Sequence, residues 1–199
     1  MLSVLTDSPV APLVLLVLTC CVGDLALHLT AAASPCWPRA VLDTVTHGLV
    51  ALFAWTAVTW STVSWRLAGL AGFCGAVIDL DHALMAGSLN IEALVSLPSR
   101  PPLHATSPWL LLLVPLALGG RVWRTGAALL LAAGLSHHLR DAGRRGLLLP
   151  PLGSTPPLPT PVYLTLEVVL CLGLRHALGS ATAPAAGRTV SDAARLLSV

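Results

Sequence analysis

The sequence contains no lysine and few charged side chains of any kind. Only 10% of its 199 residues are charged, whereas 55% are hydrophobic. A soluble globular domain carries roughly 25% charged residues, so this composition excludes that class and predicts an integral membrane protein. The formal net charge of +2 is also too small for a nucleic-acid-binding surface, and we expect no nucleic acid partner.

Paired cysteine spacings are also missing. Four of the five cysteines (Cys20, Cys21, Cys74 and Cys171) lie inside apolar runs, where a thiol packs as a small hydrophobic group. The fifth, Cys36, stands alone. We therefore expect neither a disulfide framework nor a thiolate zinc site.

No basic residue precedes the first apolar run, although a signal peptide normally begins with a positively charged segment. The small residues at 31–34 resemble a signal-peptidase site, so removal of this run is the alternative. We interpret it as a retained membrane helix.

Several apolar runs of about 20 residues are long enough to cross a hydrocarbon core roughly 30 Å thick. Because a helix satisfies its own backbone hydrogen bonds in lipid, we predict an all-α, polytopic helical membrane bundle in one domain (1–178), located in the lipid bilayer. The six predicted spans cover residues 9–30, 40–60, 66–86, 105–120, 125–141 and 162–178. The tail at 179–199 is expected to be flexible.

Carboxylates and imidazoles are grouped in short motifs near the ends of these spans. In chain order the motifs are Asp24 with His28, Asp43 with His47, Asp79 with Asp81 and His82, His104, and His137 with His138 and Asp141. Because consecutive spans alternate in direction, all of the motifs are predicted to lie at the same membrane face. They hold six of the seven histidines and five of the seven aspartates, which helical periodicity alone does not explain.

Histidine and carboxylate ligands suit zinc, iron or manganese, so the motifs predict a divalent-metal site with zinc as one candidate. A metal of this kind generates a nucleophile from water near neutral pH. Asp43 or Asp79 is predicted to act as a general base or to orient a ligand. Arg100 and Arg140 are predicted to bind an anionic substrate group, since the guanidinium fork matches phosphate geometry.

Non-enzymatic alternatives remain open at this point. Each histidine or aspartate taken singly is also typical of a polar residue in the headgroup layer. In a transporter the same groups would line an aqueous path through the membrane, and in an assembly scaffold the motifs need not converge at all. Ionisable residues that continue through the midplane would favour transport, whereas a site confined to one leaflet would favour an enzyme.

The motif series resembles the uncharacterised transmembrane protein 267 family. The residues that carry the resemblance are DTVTH at 43–47, IDLDH at 78–82, RPPLH at 100–104 and SHHLRD at 136–141, with Gly146 and Pro150. The resemblance extends from the Asp43 region to Tyr163 and implies a membrane protein without an established biochemical function.

More distantly, the order of the motifs resembles the YdjM-like inner-membrane proteins, which are described as metal-dependent hydrolases. That resemblance implies a metal site made from His47, Asp79, Asp81, His82, His104, His137 and Asp141. An active member would hydrolyse an ester or phosphoester of a lipid-like substrate. The chain departs from the YdjM-like pattern beside the motifs, at Ile78, Ser99, Pro101 and Ala105, so a member that keeps the site without the reaction is the alternative.

Overall fold

The computed structural model describes residue 8, residues 10–30 and residues 36–180. Within these ranges the chain is almost entirely helical. The residues at 31–34 that resemble a cleavage site, and the predicted tail beyond residue 180, lie outside the described residues. The helices are α1 (Val10–Leu29), α2 (Trp37–Val58), α3 (Trp65–Val77), α4 (Leu80–Ala86), α5 (Ile91–Val95), α6 (Thr106–Leu110), α7 (Leu113–Leu118), α8 (Arg121–Arg145) and α9 (Thr160–Ser180), with a 3₁₀ turn at Pro102–His104.

Four helical segments among the described residues are long and apolar enough to cross a membrane. They correspond to the predicted first, second, third and sixth spans, so the predicted all-α membrane bundle is confirmed, but the count of six is not. The third segment combines α3 and α4. The four segments are Val10–Leu29, Trp37–Val58, Trp65–Ala86 and Thr160–Gly179.

The regions of the predicted fourth and fifth spans differ from these four. Helices α6 and α7 cover Thr106–Leu118, about 20 Å at 1.5 Å per residue. Pro115 has no backbone N–H to continue the helix, and the Leu111 oxygen instead accepts from Val114 at 3.1 Å, which separates α6 from α7. Helix α8 has 25 residues and sufficient length, but six of its side chains are charged.

Helix α8 lies at the centre of the bundle and packs against α2, α3, α7 and α9. Its buried face consists largely of small residues such as Ala128 and Ala132. Gly134 lies against the indole of Trp109, where an added Cβ would be 2.2 Å from the ring. Small residues let helices approach closely in membrane proteins, and α8 therefore carries its polar second half into the interior.

Glycines bring α2 and α3 into close contact. An added Cβ on Gly72 would lie 3.0 Å from the backbone oxygen of Gly48, and one on Gly75 would lie 2.5 Å from the Ala51 Cβ. The same Gly75 Cβ would be 3.1 Å from the backbone oxygen of His47. This contact places His47 beside the end of α3, where the motif of the third span begins.

A tightened turn joins α3 to α4 at residues 78–79. Asp81 and His82 donate backbone hydrogen bonds to Ile78 and Asp79, three residues earlier, both at 3.2 Å. A 3₁₀ turn inside an α-helix often marks a functional position. On a regular helix residues two apart point in different directions, whereas here the turn lets Asp79 and Asp81 face the same neighbours.

A short hairpin follows α8 and is attached to the segment after His104. Strands β1 (Leu148–Leu149) and β2 (Gly153–Ser154) pair antiparallel, with Leu148 opposite Ser154. Leu148 also forms a parallel bridge with Ala105. The loop after α8 and the 3₁₀ turn are thus held together at the end of the bundle where the polar motifs lie.

Candidate metal site

Imidazoles and carboxylates from α2, the α3–α4 turn, the 3₁₀ turn and α8 meet in one cluster. Three overlapping groups of potential ligand atoms each lie within 4.8 Å. His137 belongs to the first two groups and His104 to the last two, so the groups are continuous. They are His47 with His137 and Asp141, Asp79 with His104 and His137, and Asp81 with His82 and His104.

Four donor atoms form the centre of this cluster: Asp79 Oδ1, His104 Nε2, His137 Nε2 and Asp141 Oδ2. The two nitrogens are 3.2 Å apart. Asp79 Oδ1 lies 3.6 Å from each nitrogen, and Asp141 Oδ2 lies 3.7 Å from His104 and 3.9 Å from His137. Ligand atoms bonded to a tetrahedral zinc ion at about 2.0–2.1 Å are roughly 3.3 Å from one another, so these spacings suit a small cation.

The outer nitrogens of the two central imidazoles have fixed acceptors. His137 Nδ1 lies 3.0 Å from the backbone oxygen of Gly75, and His104 Nδ1 lies 3.2 Å from Asp81 Oδ2. Because carbonyl and carboxylate oxygens only accept hydrogen bonds, both Nδ1 atoms carry a proton. Each Nε2 is then the atom available to a ligand, as in histidines that bind metals.

The distance between the two Nε2 atoms has a chemical consequence. If both rings are neutral and protonated at Nδ1, their Nε2 lone pairs face each other at 3.2 Å in buried surroundings. A proton on one ring or a cation between the nitrogens relieves this repulsion. The arrangement of the cluster therefore favours a proton or a cation between the two Nε2 atoms.

The pKa of His104 agrees with this conclusion. Burial lowers the pKa of this imidazole, but the carboxylates of Asp79 and Asp81 outweigh burial and raise the pKa to about 9. The ring therefore carries a positive charge at neutral pH when only protein groups surround it.

The two central carboxylates are oriented by neighbours. Thr44 donates its hydroxyl to Asp79 Oδ2 at 2.8 Å, which leaves Oδ1 for the imidazoles. Arg144 donates to Asp141 Oδ1 at 2.5 Å, while Asp141 Oδ2 faces His104 and His137. Each carboxylate thus uses one oxygen for orientation and presents the other to the centre.

His47 lies beside the four central atoms. Its ring stacks on that of His137 with centroids 3.7 Å apart, and its Nε2 lies 3.3 Å from Asp141 Oδ1 and 3.6 Å from Asp43 Oδ1. Its buried Nδ1 has no hydrogen-bond partner among the described residues. His47 is less firmly oriented than His104 and His137, although it is close enough to take part in binding.

Asp81 and His82 lie behind His104. Asp81 Oδ1 is 3.2 Å from His82 Nδ1, and Asp81 Oδ2 is 3.2 Å from His104 Nδ1. The same Oδ2 accepts the backbone N–H of Leu103 at 2.9 Å. Asp81 thus orients the His104 imidazole and the 3₁₀ turn, while its contact with His82 is an ion pair without hydrogen-bond geometry.

His138, the neighbour of His137, has both of its nitrogens engaged elsewhere. Its Nδ1 lies 3.1 Å from Thr106 Oγ1 and its Nε2 lies 2.9 Å from the backbone oxygen of Leu103. Its contacts tie α8 to the 3₁₀ turn and so help to place His104.

Arg100 and Arg140, predicted to bind substrate, have protein partners. Arg100 donates to the backbone oxygens of Gly146, at 2.7 Å, and of Arg145. These are carbonyls at the C-terminal end of α8, where a basic side chain is favourable.

Arg140 is 1% exposed and lies away from the central donor atoms. It donates to Asp43 Oδ1 at 2.7 Å, and its Nη2 lies 3.0 Å from Asp24 Oδ1. The second contact is an ion pair without hydrogen-bond geometry, since both atoms lack a hydrogen-bond partner. Asp24 also accepts from the Tyr163 hydroxyl, whereas its motif partner His28 is exposed.

A cavity of about 760 Å³ opens beside the cluster. Asp79, Asp141, His82 and His104 reach its wall from the metal-site side. Apart from Asp43, Thr44 and Ser99, the remainder of the wall is basic or apolar. It includes Arg39, Arg100, Arg144, Arg145, Leu80, Leu89, Ile91, Leu94 and Val95.

Several residues of the site have no motif signal in the sequence. The Gly75 carbonyl cannot be recognised from a side-chain pattern. Arg144 follows Asp141 by three residues, a spacing that predicts a helical ion pair, but its bond to Asp43 is long-range. Arg39 and Arg145 belong to the cavity wall, and none of the sequence motifs contains them.

The apolar helices and the cluster at one end of the bundle define an integral, multi-pass helical membrane protein with a group of potential metal ligands. Relatives named transmembrane protein 267 are similar over most of both chains. The Mus musculus protein is 36% identical over 165 residues, 79% of this chain and 75% of the relative. The Danio rerio protein is 36% identical over 163 residues, 76% of this chain and 72% of the relative. The chain belongs to the transmembrane protein 267 family. No family model matches the chain, and no solved structure gives a significant match.

Proposed function

We propose that the chain binds a divalent cation, with zinc the first choice, and hydrolyses an ester or phosphoester of a lipid-like substrate. Asp79, His104, His137 and Asp141 would hold the cation, with His47 beside them. The observation that carries the proposal is the convergence of these four donor atoms while the outer nitrogens of both histidines are tied to acceptors. The distant resemblance to the YdjM-like hydrolases supports the same function.

When bound, such a cation would act as a Lewis acid and lower the pKa of water. The protein groups around it would fix its ligands. Asp81 and the Gly75 carbonyl hold the two imidazoles, and Thr44 holds Asp79. In carboxylate–histidine–metal arrangements such outer partners tune the metal.

We assign His82 the transfer of a proton between water and the leaving group. Its side chain is 21% exposed and lines the cavity, and Asp81 lies 3.2 Å behind its Nδ1. An imidazole that faces the cavity beside the central donor atoms can reach both the water and the leaving group. Asp79 then serves as a ligand in this proposal instead of as the base.

Asp43 fits an orienting role better than that of a free base. It accepts from Arg140 at 2.7 Å and from Arg144 at 2.8 Å, and its Oδ1 lies 3.6 Å from His47. Two guanidinium groups stabilise its ionised form, so it is a weak proton acceptor.

The distribution of ionisable residues favours hydrolysis over transport. A transporter needs polar groups that continue across the bundle. Beyond the cluster, five stretches of the described helices contain no Asp, Glu, His or Arg, and the fully buried Glu167 of α9 is the main ionisable residue outside the cluster end. These stretches are 10–23, 48–58, 67–78, 125–136 and 168–174. The convergence of the motifs also disfavours a pure scaffold.

The first test is metal content measured by elemental mass spectrometry on detergent-purified protein. We expect near-stoichiometric metal in the native chain and loss of most of it in His137→Gln. His28→Gln is the matched control, because it removes an exposed histidine at the same end of the bundle. Size-exclusion chromatography checks that each variant is folded. A folded native protein that stays free of metal after incubation with zinc would contradict the proposal.

The second part of the test is turnover. Native protein loaded with metal should release product from a lipid ester or phosphoester, and Asp141→Asn should abolish the release. If the protein binds metal but hydrolyses no lipid ester or phosphoester, the metal site is supported and the proposed hydrolase activity is contradicted.

A further inference from the structure

We infer that the substrate of this site is a membrane lipid with a terminal phosphate monoester, whose phosphate is held by Arg39 and Arg145. This inference rests on the proposed function and names its substrate class. Two observations support it: the hydrogen-bond partners of the arginines near the cavity, and the charge and polarity of the cavity wall.

Three arginines near the cluster are already committed to protein acceptors. Arg100 binds the carbonyls of Gly146 and Arg145, and Arg140 lies between Asp24 and Asp43. Arg144 donates to Asp43 and Asp141. The guanidinium group of each is therefore held in place by protein acceptors.

Arg39 and Arg145 differ from these three. Both line the cavity, Arg39 half-buried and Arg145 exposed, and neither side chain has a carboxylate partner or a hydrogen bond among the described residues. A guanidinium presents a planar fork of donors that matches a phosphate. Two free forks on the wall of one cavity favour a group with several anionic oxygens.

The charge of the cavity wall agrees with an anionic ligand. Four arginines (Arg39, Arg100, Arg144 and Arg145) and three aspartates (Asp43, Asp79 and Asp141) line it, which gives a net charge of +1 with the histidines counted as neutral, as they are when they bind a metal. A divalent cation would bring the wall to +3. A phosphate monoester carries about −1.5 to −2 at neutral pH, more than a diester, and suits this wall better than an uncharged carboxylic ester.

The apolar part of the wall indicates that the substrate is a lipid. Leu80 is 57% exposed, Leu89 71% and Val95 54%, and all three line the cavity. Leu80 belongs to the membrane-crossing segment Trp65–Ala86. A cavity bounded in this way opens toward the bilayer, so an acyl chain can remain in lipid while the phosphate reaches the arginines. Its volume of about 760 Å³ suits a headgroup and the start of a chain.

The reaction of such a substrate is balanced with water alone. The water oxygen forms a bond to phosphorus, and the bond between phosphorus and the lipid oxygen breaks. The electron pair leaves with the lipid oxygen, which takes one proton. The products are the lipid alcohol and inorganic phosphate.

The test uses the full chain in detergent micelles with three probes: phosphatidic acid, water-soluble glycerol phosphate and an uncharged monoacylglycerol. The variants are Arg39→Gln, Arg145→Gln and the double variant. Arg66→Gln and Arg121→Gln, combined, form the matched control, since both residues are exposed and neither lines the cavity. Native mass spectrometry measures lipid binding, and released phosphate measures turnover.

We expect phosphatidic acid to bind the native chain and the control equally. Each single arginine variant should bind it about tenfold more weakly, as for loss of a charge-assisted hydrogen bond. Metal content and monoacylglycerol binding should stay unchanged. The KM for phosphatidic acid should rise in the arginine variants with a smaller change in kcat.

Three outcomes would overturn the inference. Equal binding of phosphatidic acid by the double variant and the control would show that Arg39 and Arg145 do not bind the lipid phosphate. Equal turnover of glycerol phosphate and phosphatidic acid would remove the lipid requirement, and preferred cleavage of monoacylglycerol would replace the phosphate monoester with a carboxylic ester. Because the binding measurement does not need turnover, a native chain that binds phosphatidic acid through the arginines but hydrolyses nothing would reject the hydrolysis and keep the assignment of Arg39 and Arg145 to binding of the lipid phosphate.

Discussion

Two polar clusters lie side by side in this protein, and they are built on different principles. In the first cluster charges alternate in sign: Asp24, Arg140, Asp43, Arg144 and Asp141 are connected by contacts of 2.5–3.0 Å. In the second, the Nε2 atoms of His104 and His137 lie 3.2 Å apart, and Asp79 Oδ1 and Asp141 Oδ2 each lie within 3.9 Å of both nitrogens. In the first cluster each carboxylate has a guanidinium partner, whereas in the second the donor atoms share a centre that a proton on His104 or a bound cation would fill.

The comparison separates stability from function. A buried ion pair is weak evidence for net stabilisation, but removing one partner leaves an uncompensated charge. The first cluster, called the alternating cluster below, therefore connects α1, α2 and α8. The second cluster, called the convergent cluster below, is expected to contribute little to the free energy of folding and to determine metal binding. Asp141 belongs to both clusters and couples them.

Removing Arg140 should have the largest effect on stability. In Arg140→Met the carboxylates of Asp24 and Asp43 lose a fully buried partner, and we expect the protein to be destabilised by about 3–5 kcal/mol. Thermal unfolding in detergent measures the effect. Arg66→Met, which removes an exposed arginine, is the control and should change stability little.

A compensated variant sharpens this prediction. Arg140→Met combined with Asp24→Asn and Asp43→Asn removes the charges together and should recover part of the stability. A loss below about 1 kcal/mol in Arg140→Met would mean that the alternating cluster behaves like an exposed set of ion pairs.

Asp81→Asn should have an intermediate effect, and on binding more than on folding. Asp81 does not belong to the four central atoms but accepts from His104 Nδ1. Loss of a carboxylate behind a ligand histidine typically lowers metal affinity about 10- to 100-fold. Competition with a chromophoric zinc chelator measures this change. Glu92→Gln removes an exposed carboxylate in α5 and should leave the affinity unchanged; equal affinities of the two variants would show that Asp81 does not act on the metal.

The grouping of the motifs at one end of the bundle could be predicted from the sequence. Alternating span direction requires only the positions of the motifs along the chain, and spacings of four residues place His137 with Asp141 and Asp43 with His47 on common faces. The all-α membrane class followed from composition in the same way. These features depend on local periodicity and length.

The roles within the site depend on features that periodicity does not contain. Asp79 and Asp81 both reach His104 because a 3₁₀ turn interrupts α3 and α4. Arg140 looked like a ligand for substrate because its partner Asp24 lies on another helix, more than 100 residues away along the chain. The count of spans depended on two regions: the short segment Thr106–Leu118, which Pro115 divides, and α8, which carries six charged side chains.

Thr44→Val should have the smallest effect, and it tests whether a single hydrogen bond orients Asp79 in the convergent cluster. Thr44 lies on α2 and donates to Asp79 Oδ2 at 2.8 Å, so the change removes one hydrogen bond and retains the shape of the side chain. A net hydrogen bond contributes about 0.5–1.5 kcal/mol, which predicts a loss of metal affinity of roughly three- to tenfold and little change in stability. Thr56→Val is the control, because Thr56 is buried on the same helix and donates only to the carbonyls of Leu52 and Phe53. If both variants bind metal as tightly as the native chain, Asp79 is oriented by the α3–α4 turn alone, and the convergent cluster would then depend on backbone geometry more than on its surrounding hydrogen bonds.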